Sequence, residues 1–185
     1  MKKFKFHLLT ILFLVFFLYS CKKEHNIETD KEFEKGTLLV GIKDNYEIQK
    51  IFDIFNSNSL NIRQINGHVY NSTLPSDSLD FVIDELNKKA YINNGAWKAV
   101  KNGSVYLHYN TKIITICCSM FNMDENNQND WIETTKQLKL VEVSANKSLN
   151  IEVPIGKEMY WLEVLKPNPY IRWVDLNWFD EIVLH

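Results

Sequence analysis

The sequence predicts an α+β fold in which one unit of strands and helices is used twice. Residues 75–92 (PSDSLDFVIDELNKKAYI) and 154–171 (PIGKEMYWLEVLKPNPYI) share landmarks at a single offset of 79. Each opens on a proline, places a leucine eleven residues later and ends on a Tyr-Ile pair. At that offset Val82, Ile83 and Leu86 fall on Trp161, Leu162 and Leu165, so both stretches carry an apolar helical stripe. Short β-branched runs broken by Asn-Gly and Asn/Ser turns lie between them and read as strands.

The composition is that of a globular chain. Of 185 residues, 45% are hydrophobic and 24% charged, and the length allows one domain or two small ones. Lys and Arg number 21 against 23 acids; three of the lysines precede residue 20, so the rest carries an excess of five acids. Such a balance argues against nucleic acid as a partner, because phosphates require a basic face.

The first twenty residues read as an address. Lys2, Lys3 and Lys5 form a charged start, and Leu8–Tyr19 is an almost wholly apolar run. It is too short to span a bilayer as a stable helix and fits the core of a signal peptide. Leu18-Tyr19-Ser20-Cys21 resembles the lipobox of bacterial lipoproteins, with Tyr19 larger than the residue usual at that place. The resemblance implies cleavage after Ser20 and lipid, palmitate included, on Cys21. It also implies a membrane partner and a place in the cell envelope, at the outer membrane. Lys22, Lys23 and Glu24 resemble the charged signal of surface-exported lipoproteins. Residues 21–35, polar and poor in aromatics, suit a flexible tether.

Gly36–Ile42 is then a buried strand, and a helix capped at Asn45 carries Ile48, Ile51, Phe52 and Phe55. Leu60, Ile62 and Ile65 alternate as a strand, Asn66-Gly67 predicts a hairpin, and Val69–Leu74 returns. Ser76 caps the helix of Leu79, Val82, Ile83 and Leu86. A strand over Ala96–Val100 closes the unit, and Asn102-Gly103 turns into Val105–Tyr109. The second unit opens on the strand Lys112–Phe121, followed by a helix with Trp131, Ile132, Thr135 and Leu138. Strands Leu140–Val143 and Leu149–Val153, the proline-led helix stopped by Pro167 and Pro169, and a strand Ile171–Leu176 complete it. The order β-α-β-β-α-β, met twice, predicts two tandem ferredoxin-like modules over 36–108 and 109–185, antiparallel sheets with helices on one face.

Ile151-Glu-Val-Pro-Ile-Gly-Lys-Glu158, the late Leu165 and Pro169–Asn177 resemble the second half of subtilisin-type propeptides and related protease inhibitors. Gly36–Ile42 is similar to that family's first strand. The resemblance implies the same fold and a sheet that packs on a protease, with the tail Asn177–His185 entering its cleft. No protease domain follows, so any such role would be in trans.

No catalytic constellation or cofactor motif is present. Cys117 and Cys118 are adjacent in a strand and point to opposite faces, which does not chelate one metal. The histidines His25, His68, His108 and His185 lack metal-ligand spacing, though one of them meeting a carboxylate in space would be a candidate base. Asp84 and Glu163 fall on the solvent side of their helices. Trp97, Trp131, Trp161 and Trp173 are expected to pack in the core, whereas Trp178 and Phe179, past the last strand, are the candidate partner contact. The expected function is that of a non-catalytic, lipid-anchored envelope module with a binding or structural role, its partner unknown, a protease or a surface complex being the candidate protein partners. The alternative is protease inhibition through the C-terminal tail.

Overall fold

A computed structural model of the protein describes residues 32–44, 46–92, 104–143 and 147–179. Their architecture is α+β: one antiparallel sheet of seven strands with four α-helices. In chain order these are β1 (Phe33–Ile42), α1 (Ile48–Ser57), β2 (Asn61–Ser72), α2 (Leu79–Asn87), β3 (Val105–Leu107) and β4 (Ile114–Met123). Then follow α3 (Glu125–Gln137), β5 (Leu140–Val143), β6 (Ser148–Glu152), α4 (Glu158–Leu165) and β7 (Ile171–Trp178). The sheet runs β3-β4-β2-β6-β1-β7, and β5 pairs with the remaining length of β2. No described helix is long and apolar enough to cross a membrane.

The hairpin predicted at Asn66-Gly67 does not form. β2 runs unbroken through Asn66-Gly67, where Gly67 takes φ +73° and the register against β4 shifts between Ile65 and His68. The positive φ that a two-residue turn would use is absorbed by a bulge instead. The ladders explain the choice. β2 has β4 along one edge and β6 then β5 along the other, so a reversal at Gly67 would forfeit pairing on both sides. Nor do β5 and β6 pair with each other. Both run antiparallel to β2 and lie end to end along it, from Ser72↔Leu140 to Asn61↔Glu152.

The offset of 79 nevertheless runs through the elements. It carries the span of β2 onto β5 and β6, and α2 onto α4. It carries Ile92, bridged to Met120 of β4, onto Ile171, paired with Ile42 of β1. The Asn61–Glu152 pair maps to within one residue of the observed Ser72–Leu140 pair, so the two middle strands lie against each other as a two-fold axis would place them.

Smaller differences have local causes. β1 begins at Phe33 rather than Gly36, because Phe33 pairs with Trp178 across a bulge where Gly36 takes φ +77°. Ser76 belongs to a short 3-10 turn, and α2 starts after Ser78 without a side-chain cap. Asp124 does cap α3, accepting the Asn127 N–H at 2.9 Å. The predicted strand Ala96–Val100, the Asn45 cap and Trp97 lie outside the described residues.

The buried apolar side chains of the strands share one face. Leu38, Ile62, Ile151 and Leu176 stand in paired register, as do Val40, Ile65, Leu149 and Met120. The helices cover this face with Ile51, Phe52, Phe55, Val82, Leu86, Trp131 and Leu165. Helix-to-helix bonds tie the layer together: Asn56 to Gln128 at 2.7 Å, and Lys89 and Tyr91 to Asp130 at 2.9 and 2.6 Å.

Candidate functional site

Two places have the make-up of a site. The first is a cleft of about 590 Å³ between the start of α1, β5 and the outer side of α3. Tyr46, Ile48, Ile132 and Leu140 wall it, and Tyr70, Glu142 and Lys147 form its floor. Lys147 is only 2% exposed; its ammonium stands 2.7 Å from Glu142 Oε1 and donates to the Tyr46 carbonyl at 3.2 Å. His68, fully buried, places Nδ1 3.1 Å from the same Oε1 and 3.0 Å from the Tyr70 hydroxyl. The Trp131 indole N–H donates to that hydroxyl at 3.3 Å.

Electrostatics assign the charges. Burial holds His68 below its usual pKa despite the adjacent carboxylate, so the ring is neutral. Burial pushes the Glu142 carboxyl up, but the hydrogen bonds and charges of His68 and Lys147 outweigh it and keep Glu142 ionised. Burial likewise raises the Tyr70 hydroxyl well above its usual value. The cluster thus carries one negative and one positive charge and sums to zero. A neutral histidine beside a carboxylate satisfies the expected pairing of base and acid. His68 Nε2 is buried and bonded to no described group. The cluster joins the end of β5 to the start of β6 across residues 144–146, which lie outside the described residues.

The second place is the sheet face away from the helices. Leu39, Trp173, Phe121, Val69 and Cys117 lie on it among Asn150, Gln64, Ser119 and Asn71, all half-buried or exposed. The charged members stand at its rim: Asp175 on the edge strand β7, and Glu152 with the Arg63–Glu34 ion pair toward one end of the strands. Trp173 was expected in the core but is 39% exposed here, its indole lying over Gly41 so closely that a Cβ at 41 would overlap it. Directly opposite in the ladder, Gly41 leaves room that any side chain would fill. The sequence showed Trp173 on a strand but not which side of the sheet would be covered.

The other candidates resolve plainly. Cys118 is buried on the helix side, its thiol pushed up to about 12 by burial and by neighbouring Cys117; Cys117 is half-buried on the open face. His108 Nε2 meets Thr115 Oγ1 at 2.9 Å. Asp84 and Glu163 are exposed, Trp131 is fully buried and Trp161 partly so. Trp178 is half-buried, its ring edge-on to Phe33 and its N–H on Asp175 at 3.1 Å, whereas Phe179 is 55% exposed with its N–H on the Glu32 carbonyl. No group of three metal-ligating side chains occurs among the described residues. Cys21, His25 and His185 lie outside them. The chain matches no protein-family model, no curated protein and no solved structure.

Proposed function

We propose that the chain is a non-catalytic lipoprotein of the bacterial envelope, attached to the outer membrane through lipid on Cys21, that binds a partner protein through its open sheet face. One observation supports this most: that face carries two aromatic rings, aliphatic and amide side chains and no charge inside its rim. Interface centres are depleted in charge and enriched in aromatics, while ordinary surface is not. We also read the fold as a tandem duplication. The ferredoxin-like order is replaced by two copies of strand, helix, long strand, helix and strand, joined through their middle strands.

The inhibitor reading would use the same face, with the C-terminal tail as the inserted strand. Asn177 and Trp178 belong to β7 and Phe179 is tied to Glu32, so three of the nine tail residues are held by the sheet. This favours the binding module over the inhibitor.

Two variants test the reading. Cys21→Ser should abolish palmitate labelling and release the protein from the membrane fraction; retention of both would overturn the anchor. Val69→Lys, placed in the open face, should lose the partner that co-purifies with the parent while the thermal midpoint stays unchanged. A partner retained by Val69→Lys would remove the face from the account.

A further inference from the structure

Of the exposed large apolar side chains among the described residues, four lie at the α4 end, on that helix or just before it, and Phe179 follows β7; the others, Tyr109 and Val141 included, lie elsewhere. Ile155 is 76% exposed, Tyr160 60%, Phe179 55%, Met159 42% and Val164 40%. α4 reads EMYWLEVL, yet only Glu158 and Leu165 are buried, so a helix rich in apolar residues turns much of that surface outward. The chain enters at the same end. The Gly36 N–H donates to Glu158 Oε1 at 2.7 Å, Gly36 packs against Ile155, and the Phe179 N–H donates to the Glu32 carbonyl at 2.9 Å. Glu32 is where the segment from Cys21 joins the sheet, and ten residues separate the two. That length reaches at most about 40 Å.

We propose that the outer side of α4, with Ile155 and Phe179, rests on the lipid surface of the membrane to which Cys21 is attached. This deepens the anchored reading and rests on it. A tether this short keeps the patch within reach of the bilayer, so the lipid strengthens a contact that the free chain makes weakly but measurably. Lys157 and Lys166 bracket α4 and Glu158 and Glu163 sit between them, so the charges cancel. Burial of apolar side chains therefore drives the contact, and salt affects it little.

The test uses the mature chain from residue 21 with Cys21→Ser, unlipidated, sedimented with vesicles of phosphatidylethanolamine and a minority of phosphatidylglycerol. Measurable partition is expected. The double variant Ile155→Ser/Tyr160→Ser should lower it about tenfold or more. Phe81→Ser, at a similarly exposed phenylalanine on α2, should leave it unchanged. Unchanged thermal midpoints show that a contact rather than the fold is lost; where the serines unfold the chain, Ile155→Gln/Tyr160→Gln replaces them. The proposal is overturned if the parent chain stays in solution, if Phe81→Ser loses as much, or if raised salt abolishes partition. A dimer in sedimentation equilibrium that only the α4 variant dissolves would also overturn it, by assigning the patch to a second copy. Because the probe carries no lipid, these outcomes stand apart from the palmitate label on Cys21, which tests the anchor itself.

Discussion

The two halves of the sheet make the same journey with different side chains, and the places where they differ are informative. In the first half the middle strand is β2, continuous through its bulge, with neutral His68 buried at its centre. In the second half that strand is split into β5 and β6, and the offset of 79 puts buried Lys147 where His68 stands. Both reach for one carboxylate, Glu142. A second difference lies at the helix starts. Buried Leu79 opens α2, while its counterpart Glu158, equally buried, opens α4 and accepts the N–H groups of Gly36 and Gly156 at 2.7 and 3.1 Å. The first half holds a neutral ring and an apolar side chain at these two positions. The second spends buried charge where its middle strand is interrupted and where the chain enters, and each charge is held by bonds across a junction.

Removing those bonds breaks the comparison most sharply. Lys147→Ala leaves Glu142 ionised and half-buried beside a neutral ring, and should cost about 3–5 kcal/mol in urea unfolding. The double variant Glu142→Leu/Lys147→Met removes both charges and should recover much of that loss. If it is no better than Lys147→Ala, the pair is not what joins β5 to β6.

Glu158→Leu, which installs the residue of the first half, strands two backbone N–H groups and should cost about 2–4 kcal/mol. Burial pushes the Glu158 carboxyl up, but its backbone hydrogen bonds outweigh this and keep it below the usual value of 4.5. Its contribution is therefore present above pH 4.5 and fades as pH falls through its folded-state pKa. An acid-unfolding curve unchanged by Glu158→Leu would refute that role.

Gly67→Ala should cost about 1–2 kcal/mol, because φ +73° is strained for any residue with a Cβ. An unchanged midpoint would mean the bulge is not needed to pass His68 into the core.

The smallest effect is a slope. His68 stays neutral when folded but takes a proton near pH 6.5 when unfolded, so stability should begin to fall as pH drops through 6.5. The slope should reach at most about 1.4 kcal/mol per pH unit and end where folded His68 itself protonates, in contact with Tyr70, Glu142 and Lys147. His68→Asn should flatten it. The same slope in the variant would assign it to other groups.

Much of this was legible in the sequence for physical reasons. Every helix announced itself by apolar spacing, because burial of a helical stripe leaves a periodic trace. The Asn66-Gly67 hairpin misled because Asn-Gly supplies a positive φ and nothing more; whether that φ makes a turn or a bulge depends on neighbours far along the chain, here β4, β5 and β6. The same blindness hid the cluster. His68, Glu142 and Lys147 are separated by 74 and 5 residues, and only the pairing of β2 with β5 brings them together. Trp173 was misplaced because a strand's alternation shows two faces without saying which one the helices cover.

We propose different tasks for two surfaces, the open sheet face for a protein and the α4 end for lipid. A photoreactive residue placed at Trp173 or at Tyr160 in the full-length protein, irradiated in intact cells, measures both at once. Position 173 should yield a discrete protein adduct, and position 160 should yield lipid adducts without it. Lipid at 173, or the same protein adduct at both positions, would contradict the division.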